Sequence, residues 1–256
     1  MQEPTESRAH AHDHGKAVNG SPFTRQRWHA YRPEQHAAWA ALYARRMPAL
    51  QETASRVYLD GAAAIGLEER RIPDLALLNR RLIARTGWSA VAVTGFLPAG
   101  HFFRCLARRR FPTTVSIRPM ERLDYTPEPD IFHDVFGHVP LHADPVFAAF
   151  LQRVGALGAA ARTPEATEQV ARFFWFTVEF GLVLERGRPR LFGSGLISSS
   201  AEGVHALGPS CDRRPFDLEE VIATPFEIDK LQPVLFMVES FEELFGGAEK
   251  LGRMLV

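Results

Sequence analysis

The pattern of apolar and polar positions divides this chain into a polar lead and one continuous patterned body. Residues 1–22 carry few apolar side chains and predict a disordered polar tail, to which His10, His12 and His14 belong. Beyond residue 25 there is no linker, internal repeat or heptad seam, so a single domain over 23–256 is expected. From Pro33, the residues Trp39, Leu42, Tyr43 and Met47 recur at helical spacing, and Pro48 is expected to interrupt that helix. Ile72-Pro73-Asp74 opens a second helical stretch through Leu75, Leu78, Leu82 and Ile83. Val91-Ala92-Val93 and Thr114-Val115-Ser116-Ile117 predict short strands, being rich in β-branched residues.

Asp144-Pro145 places an N-cap beside a first-turn proline, and Phe147, Phe150, Leu151 and Val154 follow on one face. A further helix is predicted from Pro164 to about Leu184, and Arg190 to Ile197 reads as strand or loop. Ser240-Phe241-Glu242-Glu243 is a capping box opening a last helix. The expected fold is mainly α with a minor β component.

Charge and cysteine content narrow the function classes. Among 256 residues, Lys+Arg and Asp+Glu both number 30, so nothing steers the chain toward nucleic acid or an anionic membrane. Arg104 and Arg108-Arg109-Arg110 form a short basic cluster that reads as a solvated face. Two cysteines, Cys105 and Cys211, exclude a disulfide scaffold and suit a reducing compartment. No apolar run approaches the roughly 18 residues of a membrane span, and the N-terminus lacks the apolar core of a secretory signal. A cytoplasmic protein is expected.

The candidate chemistry lies in the run Tyr125 to Pro140, where His133 and His138 stand five residues apart among Ile, Phe and Val. Imidazole is a common metal ligand. Further on, Phe173 to Leu184 is almost wholly apolar but holds Glu179. A carboxylate in such a run must be paired, metal-bound or protonated. Two histidines and a carboxylate make a facial-triad Fe(II) set, and with a water they also suit catalytic zinc. On an ideal helix, five residues turn through about 500°, so the two rings diverge by about 140°. The segment must therefore bend, unwind or bulge, most easily at Gly137. No His-Glu-x-x-His, Walker, Rossmann or Gly-x-Ser-x-Gly pattern occurs.

The run Tyr125–Pro140, together with Phe176-Thr177-Val178-Glu179-Phe180-Gly181-Leu182, strongly resembles the catalytic domain of the pterin-dependent aromatic amino acid hydroxylases. Gly193-Ser194-Gly195-Leu196-Ile197-Ser198-Ser199, Gln232-Pro233 and Val238-Glu239-Ser240-Phe241 extend the resemblance over roughly residues 70 to 245. It implies an iron- and tetrahydrobiopterin-dependent monooxygenase, in which O₂ supplies the oxygen added to an aromatic ring. His133, His138 and Glu179 match the iron ligands. Gly95 and Leu97 match main-chain contacts to the pterin, Phe102 a ring stacked on it, and Asp134 a position commonly filled by Glu that reaches the pterin through water. Arg118 matches the arginine that pairs with the substrate carboxylate. Thr126 and Ser198 match polar contacts around the amino acid, and Pro129 and Trp175 walls for its ring.

The resemblance also bears on substrate. Trp175 is similar to phenylalanine and tyrosine hydroxylases, whereas tryptophan hydroxylases tend to carry Phe there. Ile228 is apolar where tyrosine hydroxylases tend to carry Asp. L-Phenylalanine converted to L-tyrosine is the expected reaction, with tyrosine or tryptophan hydroxylation, a zinc hydrolase on the same ligands and a non-catalytic binder as the alternatives. With no room for a regulatory domain before residue 25 and no helical tail beyond Val256, an unregulated bacterial-type monomer is expected.

Overall fold

In a computed structural model of the chain, residues 21–124, 128–228 and 230–255 are described. The expected polar tail lies outside the described residues, except Ser21 and Pro22. Phe23 already joins the fold, bridging Val93.

Helix α1 spans Pro33–Thr53 and buries Ala38, Trp39, Leu42, Arg46 and Leu50. Contrary to the sequence expectation, it runs through Pro48. An interior proline costs about 3 kcal/mol, but the face continues past it to Leu50, which is fully buried. Packing on both sides of the proline therefore outweighs the lost backbone bond. Ser55 then caps α2 (Arg56–Ile65), accepting from the Tyr58 amide. Asp74 caps α3 (Leu75–Thr86), as its sequence position suggests.

Two parallel strands, β1 (Ser89–Val93) and β2 (Arg110–Thr114), flank α4 (Ala99–Leu106). The strand expected at Thr114–Ile117 thus ends where it was to begin. Its β-branched residues continue as irregular chain because Thr114 and Ile131 tie this segment to the next. Helices α5 (Pro145–Ala160) and α6 (Pro164–Phe174) follow, capped by Asp144 and Thr163.

The helix expected to reach Leu184 stops well short of it. After α6 the chain makes one wide turn, and Leu182–Glu185 becomes β3. A short apolar run reads the same as buried helix or buried strand, and pairing decides between them. Here β3 pairs antiparallel with β4 (Arg188–Leu191) and parallel with a later strand. Arg186 and Gly187, with φ of 52° and 73°, make the tight turn of that hairpin. The region read as strand or loop therefore splits into β4 and a single turn of helix, α7 (Ser194–Ser198). Helix α8 (Ser200–Leu207), β5 (Asp212–Pro215), α9 (Leu218–Ala223), β6 (Val234–Val238) and α10 (Phe241–Met254) complete the chain. The second sheet has the order β4-β3-β6-β5. One contiguous core joins Trp39, Tyr58, Trp88, Phe132, Phe136, Phe150 and Phe173, and the fold is the α-rich, single-domain arrangement expected.

Candidate metal centre and its surroundings

Two wide helical turns build the centre. Phe132–His138 and Trp175–Glu179 are both π-helical. A π-turn closes its bonds between residues five apart, and such turns are rare and concentrate at functional sites. Residues five apart then stand one above the other, which resolves the divergence an α-helix would impose on His133 and His138. The device is a widened turn rather than a bend at Gly137. That glycine meets another need, since a Cβ there would lie 3.0 Å from the Ser194 carbonyl oxygen and 3.1 Å from its Cβ. Tyr58, fully buried, donates to the Phe136 carbonyl at 2.9 Å and satisfies one backbone acceptor of the widened turn.

The three expected ligands converge. His133 Nε2 lies 3.3 Å from His138 Nε2. Glu179 places Oε1 3.2 Å from His138 Nε2 and Oε2 3.7 Å from His133 Nε2. Ligand atoms held about 2.1 Å from one ion at near-right or tetrahedral angles lie roughly 3.0–3.4 Å apart. Two of the three separations fall in that range and the third, at 3.7 Å, is slightly longer, so the set converges where one cation could be held. Burial pushes the Glu179 carboxyl up, but attraction to His138, then His133 and the Ser194 hydroxyl, overcomes it and holds the pKa down to about 2. Burial pushes His133 down, against the pull of Glu179. An ionised carboxylate beside a neutral imidazole is the protonation pattern of a metal-binding set.

Hydrogen bonds fix how the ligands point. Ser198 Oγ lies 2.9 Å from His133 Nδ1 and donates its one proton to the Ser194 carbonyl at 2.8 Å. It must therefore accept from His133, which places the imidazole proton on Nδ1 and the Nε2 lone pair toward the ion. Ser194 Oγ donates to Glu179 Oε2 at 2.5 Å. The side chain of His138 is 3% exposed, against 19% for His133 and 15% for Glu179, so the open side of the centre lies with the latter two.

Asp134 is also near: one of its oxygens and one nitrogen of each histidine lie within 4.8 Å of one another. Its Oδ2, however, accepts from both the amide and the hydroxyl of Thr114 at 2.7 Å. Burial pushes its carboxyl up. Asp134 thus fastens the end of β2 to the π-turn, and Glu179 is the better third ligand.

The other expected site residues fall into place unevenly. Arg118 is not a free fork: Nε and Nη2 reach Asp130 at 2.8 and 2.9 Å, and Nη1 lies 3.3 Å from the Leu123 carbonyl. Asp130 also accepts from the His133 amide at 3.1 Å, so it caps the ligand-bearing segment. Trp175 stacks on Phe226 at 4.4 Å and leans on Phe180 at 4.8 Å, forming an aromatic wall. Pro129 is exposed beside buried Asp130. Leu97 is buried beside Val93 and Cys105, with Phe102 packed against that small cluster. Phe102 also meets Phe111 edge-on at 6.0 Å, and Phe111 leans on the His138 ring at 4.6 Å. Gly95 would meet nothing within 4 Å if it carried a Cβ. Thr126 lies outside the described residues. Ile228 is 78% exposed.

Two imidazoles and a carboxylate brought together beside aromatic walls in an α-rich fold are the features of a metal-dependent enzyme, and comparison gives the family. The family described as biopterin-dependent aromatic amino acid hydroxylase matches residues 15–252, and the chain belongs to it. Within that family it is 42% identical over 216 residues to the phenylalanine-4-hydroxylase of Chromobacterium violaceum, covering 84% of this chain and 73% of the relative. It is 43% identical over 220 residues to that of Caulobacter vibrioides, covering 86% and 75%. A solved structure of the C. violaceum enzyme, with bound iron(III) and oxidised 7,8-dihydrobiopterin, superposes with a TM-score of 0.86. That match has 40% identity and covers 91% of this chain and 86% of that one.

Proposed function

We propose that this protein is a phenylalanine 4-monooxygenase, converting L-phenylalanine to L-tyrosine with O₂, Fe(II) and a tetrahydropterin. The observation that carries the reading is the convergence of His133, His138 and Glu179 from two π-turns beside an aromatic wall. The donor set of two imidazoles and one carboxylate leaves positions open, as a facial triad requires. When bound, iron and tetrahydropterin activate O₂ for insertion into the ring.

The chain's own residues bind, orient and exclude water. Arg118 turns its remaining Nη protons to the substrate carboxylate, while Asp130 on the Nε–Nη2 edge and the Leu123 carbonyl at Nη1 hold the guanidinium still. Trp175 and Pro129 confine the substrate ring, and Thr126 and Ser198 bound its backbone end. Main chain at Gly95 and Leu97, with Phe102 and Asp134, holds the pterin. Aromatic packing around the ligands keeps bulk water from a reactive centre. Cys105 and Cys211 are both free thiols, and no described helix is long and apolar enough to cross a membrane.

The deciding assay supplies Fe(II)-loaded protein with tetrahydrobiopterin, O₂ and each aromatic amino acid in turn. Tyrosine formed from phenylalanine, faster than tyrosine or tryptophan is hydroxylated, is the expected result. Faster turnover of another ring would overturn the substrate, and activity with Zn(II) in place of Fe(II) would overturn the chemistry.

A further inference from the structure

Arg46 lies on the buried face of α1 and is only 5% exposed. Its hydrogen bonds run to backbone carbonyls rather than to a carboxylate: Nε donates to Ile197 at 2.8 Å and Nη2 to Leu196 at 3.0 Å. Those carbonyls belong to the last turn of α7, where a helix leaves its acceptors unpaired and its dipole favours a cation. Burial pushes the guanidinium pKa down, yet an arginine stays charged at neutral pH. Among the described residues no carboxylate pairs with it, and a buried cation so placed is costly and weakens a fold unless something else requires it. Gly203 of α8 clears its path, since a Cβ there would lie 3.1 Å from Nη2.

The turn that Arg46 grips is the one that orients two metal ligands. Ser194 at its start donates to Glu179, and Ser198 at its end accepts from His133. The bond from Ser198 Oγ to the Ser194 carbonyl closes this into one unbroken path from carboxylate to imidazole. Five residues of helix cannot hold such a position alone.

We propose that Arg46 is a positioning residue for the metal centre: by clamping the C-terminal carbonyls of α7 it sets Ser194 and Ser198, and through them Glu179 and His133. The proposal rests on the ligand assignment above. Partners that orient metal ligands typically contribute 10–100-fold in affinity, and Arg46 acts on two such partners at once.

The test measures Co(II) and Fe(II) affinity, and the Co(II) ligand-field spectrum, of the full chain and its variants. Arg46→Met is expected to bind metal about 10–100-fold more weakly than the parent, with a shifted Co(II) spectrum. Arg46→Lys, which keeps the charge and reaches one carbonyl, is expected to recover most of the affinity. Leu244→Ala, a core truncation on α10, should lower Tm without moving the Co(II) spectrum. A folded Arg46→Met with unchanged affinity and spectrum would overturn the proposal, as would an equal spectral shift in Leu244→Ala. If Arg46→Met does not fold, Arg46→Gln is held to the same criteria, and failure of both to fold makes the role structural and rejects the proposal. If the parent chain's affinity does not depend on His133 and Glu179, the ligand assignment itself falls. If it does depend on them and Arg46 proves indifferent, the proposal alone falls.

Discussion

Glu179 and Asp130 show how much one carboxylate can decide. Both are ionised groups in apolar surroundings, and each is held by specific partners: the two imidazoles and Ser194 for Glu179, Arg118 for Asp130. Glu179→Ala or His138→Ala is expected to leave a folded protein that binds iron more than about 100-fold more weakly, beyond the range of outer hydrogen-bond partners. Near-normal iron content in either variant, measured after gel filtration, would remove that residue from the ligand set. Asp130→Ala would strand the buried Arg118 cation, at a cost of about 3–5 kcal/mol. Equilibrium urea unfolding checks that figure. Burial pushes the Asp130 carboxyl up, but Arg118 overcomes it and holds it below the usual carboxylate range. Its contribution to stability is therefore complete above about pH 4 and is lost as pH falls through the depressed folded value. Asp130 stands between Glu128 and Asp134 in the sequence, so no lone-acid signal like that of Glu179 marked it, and only the structure shows its pairing with Arg118. Arg46 was passed over in the sequence, although its position falls on the stripe that Trp39, Leu42 and Leu50 bury.

At the scale of elements, the two π-turns do what an α-helix cannot. A five-residue histidine spacing reveals that the helix must be deformed, but not how. Whether it kinks at a glycine or widens depends on what lies outside the turn. Here Ser194 sits against Gly137 and Tyr58 bonds to the Phe136 carbonyl. Gly137→Ala is accordingly expected to push α7 away by a few tenths of an ångström, at a cost of about 1–3 kcal/mol. Because α7 carries Ser194 and Ser198, metal affinity should fall together with Tm. A Tm loss with wholly preserved affinity, by calorimetry and metal titration, would contradict the coupling. The tight crossing of α2 is a stricter case. A Cβ at Gly61 would lie 2.0 Å from the Pro140 carbonyl oxygen, and backbone cannot yield as a side chain does.

At the scale of the whole molecule, a buried histidine stands outside the roles described above. His142 is fully buried against Trp88 and Phe111, both at 4.9 Å, and neither ring nitrogen has a partner. Burial pushes its pKa well below the usual histidine value, and His138 pushes in the same direction. The folded state thus holds His142 neutral while the unfolded chain takes up a proton below about pH 6.5. The unfolded state then binds more protons, so stability falls with falling pH, by up to about 1.4 kcal/mol per pH unit for this group. His142→Leu is expected to flatten stability between pH 7 and pH 5 relative to the parent. Parallel curves for the two proteins, from urea unfolding at several pH values, would count against a buried neutral His142.

By itself, the sequence determined the elements whose signals are local. Asp74, Asp144 and Ser240 announce helix starts because a cap needs only its own next turn. The candidate ligands were also local signals, since histidines and a lone carboxylate in apolar runs stand out without any knowledge of the fold. Tertiary structure alone decided the rest. Leu182–Glu185 is strand rather than helix because β4 and β6 supply its partners. The first π-turn is supported from outside, by Tyr58 on the Phe136 carbonyl and by Ser194 against Gly137. Arg46 reaches Ile197 across 151 residues of chain, and no periodicity encodes a contact whose two halves lie so far apart.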